Sequence, residues 1–192
     1  LDALKNIMNL VSSESANLSG ANVNGYKKKE SFLSSSGDSL GAVGNDTFTR
    51  TDFSQGALTP AAENSSLAIQ GNGFFVLFSE APTNNGTEQK LYFSREGNFS
   101  FDQNGYLVNK DGLYVAALDQ NGKLTKMDKK TFDGKGDPAD KFHFSANGIL
   151  FNDSENSKEG KRLALASFAN PQGLVASEKG GSVFVKSASA GQ

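Results

Sequence analysis

Cysteine is absent from this sequence, and with it go disulfides, thiolate nucleophiles and cysteine-based zinc sites. The absence leaves the compartment open, because a cysteine-free chain tolerates reducing and oxidising surroundings alike. Tryptophan is absent too, so the aromatic core of a 192-residue chain rests on 15 Phe and 4 Tyr. There is one histidine, His143, which leaves no zinc ligand set of the usual kinds and no Cys-His pair. No Gly-x-Ser-x-Gly elbow accompanies it. Excess positive charge is missing: the formal net charge is −2 and the pI about 5.5. That excludes a global field for holding nucleic acid or an anionic membrane. No apolar run approaches the ~18 residues of a membrane span. No charged-then-apolar leader is visible, but the sequence opens on Leu1, so this observation excludes little.

Proline is scarce, at 4 residues against 21 Gly, and the glycines fall in turns. Asn-Gly occurs at Asn24, Asn72, Asn85, Asn104, Asn121 and Asn147, and Asp-Gly at Asp111 and Asp133; these dipeptides are strong hairpin signals. The richest stretch is residues 71–109. After Gly71-Asn72-Gly73, the unbroken apolar run Phe74–Phe78 reads as a strand covered on both faces. Residues 91–93 form a second short run. Phe99 and Phe101 alternate with Ser100, which puts both rings on one face of a strand. Asp102-Gln103-Asn104-Gly105 suits a type I turn with a bulge at a positive-φ glycine. The device recurs as Asp119-Gln120-Asn121-Gly122 and, in a relative, as Ser145-Ala146-Asn147-Gly148. The spacing is unequal, so this is one hairpin solution reused and not a solenoid repeat. The expected fold is mainly β, an irregular multi-stranded core.

Before that core, Leu1, Leu4, Met8 and Val11 fall at helical spacing, widened by Ile7 and Leu10. They read as the end of an amphipathic helix that began earlier and that needs a partner to cover it. Residues 12–15 weaken the pattern, and Gly20 and Gly25 end any helix. Lys27-Lys28-Lys29, followed at once by Glu30, reads as a solvated face. Residues 34–46 have loop composition and are expected to be mobile or flattened against a partner. Strands are expected at 48–53, ending at Gln55-Gly56, and at Leu67-Ala68-Ile69, 113–118, 149–151 and 183–185. Residues 80–89 and 152–161 read as polar loops, and 126–141 as a charged connector.

Candidate chemistry is thin. His143 alternates with Phe142 and Phe144 and points to solvent. Asp102, Asn104, Asp119, Asn121, Asp133 and Asp137 are loop oxygen donors, but Ca²⁺ takes about six to eight oxygens and turns need the same residues for backbone reasons. Gly71-Asn72-Gly73 precedes a strand rather than opening a helix, so it lacks the anion site of a phosphate loop. No cofactor or metal is expected.

The order of the motifs resembles bacterial flagellar rod and hook proteins. SANLSGANVNGYKKKESF is similar to the segment after that family's first helix, placing its Gly-Tyr-Lys at Gly25, Tyr26 and Lys27 and its Phe at Phe32. RTDFSQGALTPAAENSSLAIQGNGFFVL resembles the next signature, carried by Phe53, Gln55, Gly56, Gly71, Gly73, Phe74, Phe75 and the displaced Val76. YFSREGNFSFDQNGYLVNKDGLYV follows the third through Tyr92, Arg95, Gly97, Phe99, Asp102, Gly105, Tyr106, Leu107 and Val108. LALASFANPQGL and VFVKSASAG resemble the return strands near the end of the family's core. In the departures, Ser15-Ala16-Asn17 and Ser19-Gly20 stand where paired Asn and Ala-Asn-x-x-Thr are expected.

The resemblance implies that these are framework positions of a non-catalytic subunit. Such a subunit polymerises with copies of itself and with other rod or hook subunits into a hollow, torque-transmitting tube. Its β-rich domain is outside and its terminal helices inside. It implies residence in the basal-body rod or the hook, export through the flagellar secretion apparatus, no nucleic acid and no membrane insertion. Only residues 1–10 represent the first helix and the sequence stops at Gln192, so the expectation is a core fragment, monomeric without its terminal helices. Its parts are a helix remnant and connecting loop over 1–46 and a β-rich core over 47–192, with 126–161 a small sub-domain or insertion. A hook core fragment is one alternative. A secreted β-rich binding module of adhesin type is another, and it would line a concavity with aromatic rings.

Overall fold

The computed structural model describes residues 2–36, 44–61, 63–79, 90–129, 141–152 and 159–191. The chain divides into two compact units, Leu1–Gln55 and Gly56–Gln192.

In the first unit, helix α1 (Asp2–Gly20) precedes an antiparallel hairpin of β1 (Lys29–Ser36) and β2 (Gly44–Thr51). The helix runs on past the serines expected to weaken it. Ser13 donates to the Leu10 carbonyl at 2.9 Å and Ser19 to the Ser15 carbonyl at 2.9 Å, so both hydroxyls are satisfied without leaving the helix. The hairpin corrects a second expectation. Residues 34–36 and 44–46 are strand, paired as Ser34↔Asp46, Ser35↔Asn45 and Ser36↔Gly44. Polar composition hides a strand whose register is set by its partner rather than by an apolar face. The intervening residues 37–43 lie outside the described residues.

In the second unit, every strand pairing among the described residues is antiparallel. The strands are β3 (Phe74–Phe78), β4 (Leu91–Ser94), β5 (Phe99–Phe101), β6 (Leu107–Asn109), β7 (Tyr114–Leu118), β8 (Leu124–Lys126), β9 (Phe142–Phe144), β10 (Ile149–Asn152), β11 (Glu159–Leu163), β12 (Leu165–Ala166), β13 (Leu174–Ala176) and β14 (Val183–Lys186). The main path runs β13-β14-β4-β3-β7-β11-β10-β9. One edge of β3 is shared: Phe74 and Phe75 face β12, while Leu77 and Phe78 face β7. Ala164 sits at the switch, donating to Ala116 at 3.0 Å and accepting from Val76 at 3.2 Å. Its 2 % exposure explains why a small residue stands there.

β3 is buried throughout, as its apolar run predicts. Phe75 and Leu77 join Tyr92, Phe99, Leu107, Leu113, Val115, Met127, Phe142, Leu150 and Val183 in the main core. Phe74 points the other way, edge-on to Phe168 at 5.7 Å and Phe184 at 6.4 Å, and Phe168 meets Phe93 at 4.8 Å. Burying each such ring contributes about 2–3 kcal/mol.

Four turns share one construction. Asp102 accepts Gly105 N–H on its carbonyl at 2.9 Å, and its Oδ1 takes the N–H groups of Asn104 (2.9 Å) and Tyr106 (2.8 Å). Asp119 does the same for Gly122, Asn121 and Lys123. Ser145 holds Gly148 and Ile149. The fourth copy, Asn109-Lys110-Asp111-Gly112, reads from sequence as a simple Asp-Gly turn, yet Asn109 Oδ1 clamps Asp111 and Leu113 in the same way. The closing glycines have φ of 70–78°, a region open to glycine without a side-chain penalty.

Three further expectations are corrected. Leu67-Ala68-Ile69 is not a ladder strand. It is an extended strap tied by Leu67 N–H to Gly97 O at 2.8 Å and by a bridge from Ser66 to Asn98. The charged connector begins inside the core, with Met127 fully buried and Asp128 buried beside it. The polar loop expected at 152–161 has strand at both ends, because Asn152 closes β10 and Glu159 opens β11. Residues 80–89, 130–140 and 153–158, with the loop expectations placed on them, lie outside the described residues.

A Cβ on Gly97 would stand 1.8 Å from the Leu67 carbonyl oxygen, whereas one on Gly56 meets nothing within 4 Å. Gly97→Ala is therefore expected to destabilise the second unit by about 3 kcal/mol and Gly56→Ala by less than about 0.5 kcal/mol. Chemical denaturation monitored by circular dichroism checks the contrast.

Candidate functional site

The helix α1 packs against β1 and β2 with its polar side. Asn6 and Ser13 are buried, and Gly20 with them. Ser13 meets the Ser31 hydroxyl at 2.7 Å. Asn17 behaves as a piece of strand. Its Nδ2 donates to Lys29 O at 2.8 Å, its Oδ1 accepts Lys29 N–H at 2.8 Å, and the Tyr26 hydroxyl donates to the same Oδ1 at 3.2 Å. Tyr26 lies flat over Gly20, where an added Cβ would come within 2.4–2.6 Å of the ring. Gly20 thus does more than end the helix. It seats the tyrosine.

The apolar side faces out. Leu4 is 68 % exposed, Ile7 58 %, Met8 66 %, Val11 59 % and Leu18 80 %. At 100° per residue these five fall within an arc of about 100° on the side opposite Asn6, Ser13 and Asn17. Leu4, Ile7, Met8 and Val11 bear out the stripe read from the sequence, Leu18 extends it, Leu10 is half-buried on the side of Asn17, and Leu1 lies outside the described residues. The unit's own strands pack on the other side of the helix. A second exposed apolar feature lies on the hairpin, where Phe32 and Phe48 pair across the strands and stack at 5.1 Å.

The remaining framework positions are split between the two units. Gly25 turns the chain at φ 73°. Lys27, expected on a solvated face, donates to the Ser54 carbonyl at 2.6 Å. Lys28 and Glu30 pair at 3.4 Å, an exposed contact that contributes about 0–1 kcal/mol. Phe53 is half-buried, with Gln55 and Gly56 exposed beyond it. In the second unit Gly71 and Gly73 take φ of 95° and 146° before β3. Phe74, Phe75, Tyr92 and Phe99 are core. Arg95 lies over the Phe74 ring at 5.0 Å, and burial lowers its pKa. Tyr106 packs edge-on to Tyr114 at 5.8 Å, with Lys126 Nζ over both rings.

Sequence reasoning missed two ionic ties made by buried carboxylates. Glu96, 3 % exposed, pairs with Lys110 at 3.0 Å and accepts the Ser182 hydroxyl at 2.5 Å, while Ser94 donates to Ser182 O at 2.9 Å. Asp128 holds Lys161 at 2.6 Å, and Lys161 also donates to Lys126 O at 3.0 Å. Each binds segments far apart in the chain, which no local pattern announces. His143 is exposed and stacks on Phe151 at 5.6 Å. Nothing in these contacts converges on a reacting centre. Among the described residues, the large exposed apolar side chains include two aromatic rings, Phe32 and Phe48.

Against known proteins, residues 68–150 match the family model described as the flagellar hook protein FlgE/F/G D1 domain. The chain is 34 % identical over 135 residues to the flagellar hook protein FlgE of Rhizobium meliloti (strain 1021), covering 64 % of this chain and 32 % of that protein. It is 29 % identical over 157 residues to the flagellar basal-body rod protein FlgG of Bacillus subtilis (strain 168), covering 81 % of this chain and 49 % of that one. With FlgG of Buchnera aphidicola subsp. Baizongia pistaciae (strain Bp) the identity is 29 % over 135 residues, covering 60 % of this chain and 48 % of that protein. The matched regions therefore span between a third and a half of these relatives.

Asn17→Ala removes both bonds to Lys29 and is expected to cost about 2 kcal/mol, against about 1 kcal/mol for Tyr26→Phe; hydrogen exchange at the Lys29 amide reports both. Burial raises the Tyr26 phenol above its ordinary value of 10.0, so the folded unit keeps that proton after the unfolded chain has lost it. Stability is then lost as pH rises above about 10 towards the folded value. Tyr26→Phe should flatten that alkaline loss in denaturant titrations.

Proposed function

We propose that this chain, which matches the flagellar hook protein FlgE/F/G D1 domain model over residues 68–150 and is similar to FlgE and FlgG proteins, is a structural subunit of the flagellar rod, with a hook subunit as the alternative. It works through surfaces, without a catalytic centre. It assembles with copies of itself and with other rod or hook subunits into a helical tube that transmits torque, in the basal body, after export through the flagellar secretion apparatus. Repeated heterologous contacts that do not close on themselves generate such a tube.

The observation that carries this reading is the outward stripe of α1. Leu4, Ile7, Met8, Val11 and Leu18 stand in solvent while the polar side of the same helix is spent on the hairpin. A helix built this way has its apolar side ready for another chain or segment, since covering each residue contributes about 1–2 kcal/mol. The rod is favoured over the hook by the short span of about 60 residues between Val108 and Phe168. Under this reading the framework positions keep the β unit stiff. Phe74, Phe75, Tyr92 and Phe99 fill it, Asp102 and Gly105 lock its turn, and Gly97 admits the strap.

Val11→Asp, introduced into the protein in its own bacterium, is expected to abolish tubular assembly and swimming. It should change the folding stability of the purified chain by no more than about 0.5 kcal/mol. Negative-stain microscopy of basal bodies and a motility assay test this. Normal tubes and normal swimming in that variant would sink the proposal.

A further inference from the structure

Five Asn-Gly pairs lie among the described residues, at Asn24, Asn72, Asn104, Asn121 and Asn147, and all five asparagines are exposed. Such a pair can react with itself. The glycine nitrogen, losing its proton, attacks the side-chain carbonyl carbon of asparagine; a C–N bond forms, the bond to the side-chain nitrogen breaks, and ammonia leaves. The resulting cyclic imide takes up water and opens to aspartate or, through its other carbonyl, to isoaspartate. Glycine leaves the attacking nitrogen unhindered because it has no Cβ, and water is the only co-reactant.

The structure divides the five by what each glycine N–H is doing. Gly105 donates to Asp102 O at 2.9 Å, Gly122 to Asp119 O at 3.0 Å and Gly148 to Ser145 O at 2.9 Å. Attack from any of these nitrogens breaks the bond that closes its turn. In two of them the asparagine is pinned as well, through Asn104 N–H on Asp102 and Asn121 N–H on Asp119, both at 2.9 Å. Asn72 is placed differently. It stands between two positive-φ glycines in the bend before β3, and among the described residues the Gly73 N–H makes no hydrogen bond. Asn24 is like Asn72 in that the Gly25 N–H makes no hydrogen bond among the described residues, but Asn24-Gly25 is held in the middle of a turn closed by Tyr26 N–H to Val23 O at 3.2 Å.

We propose that Asn72 is a site of spontaneous deamidation and isomerisation, reacting ahead of Asn104, Asn121 and Asn147. The product carries a new negative charge and, as isoaspartate, one extra backbone carbon where the chain turns into the most buried strand of the fold. Gly71-Asn72-Gly73 is then a point at which the folded subunit ages.

The test is peptide mapping of the folded protein after incubation in mildly alkaline buffer made with ¹⁸O-water. Trypsin places Asn104, Asn121 and Asn147 in the peptides 96–110, 111–123 and 142–158; Asn72 shares 51–90 with Asn85, so fragment ions assign it. Deamidation at Asn72 is expected to run about tenfold faster than at the three clamped sites, the factor that corresponds to one ordinary hydrogen bond. In urea the four rates should converge through acceleration of the clamped three. Asp119→Ala takes away the carboxylate that holds the Asn121 and Lys123 N–H groups but keeps the backbone carbonyl that Gly122 donates to, so it should raise the Asn121 rate part of the way to the unfolded value while Asn72 is unchanged. Equal rates in the folded protein, a large rise at Asn72 in urea, or an unmoved Asn121 in Asp119→Ala would each overturn the proposal.

Discussion

Phe74–Phe78 has no face left for water, and much of the second unit follows from that. A strand buried on both sides needs an apolar layer on each. The main core supplies one through Phe75 and Leu77, and the rings of Phe168 and Phe184 supply the other against Phe74. Its backbone groups must also be paired along both edges. β4 takes one edge, while β7 and β12 divide the second. Ala164 is the hinge of that division, bonded to both sides at once.

The turns answer the same requirement from the outside. An aspartate, asparagine or serine oxygen takes over amides that the tight reversal leaves without a ladder partner, and a glycine four places into the turn accepts the positive φ. This arrangement needs no long loop. It fixes register locally, so the strands reach the core with their rings already facing inward. Glu96 and Asp128 then tie distant segments where hydrophobic packing alone sets no direction.

The first unit inverts the usual economy of a helix on a sheet. Asparagine and serine hold the helix to the hairpin through hydrogen bonds, and the apolar residues remain outside. Under the proposed role as an assembling subunit the two sides have separate jobs, polar bonds setting the local shape and exposed apolar area marking a contact surface.

Local signals settled a good deal from sequence alone. The doubly covered strand, the Asp-Gln-Asn-Gly turns, the mainly β class and the rod and hook resemblance all rest on residues adjacent in the chain, where period and turn chemistry act directly. Half of β2 is legible in the alternation from Phe48 onward, but the polar ends of the hairpin, residues 34–36 and 44–46, read as loop because they carry no alternating apolar face. The strap at Leu67 was mistaken for a ladder strand because an extended apolar tripeptide looks alike in both settings. The burial of Met127 and the pairing of Lys161 with Asp128 depend on residues tens of positions apart. The helix stripe was visible in the sequence, but which side of that helix meets the hairpin was decided by Asn17 finding Lys29 and Tyr26 finding Gly20. Those are contacts between surfaces, and a one-dimensional pattern carries no information about which surface will be met.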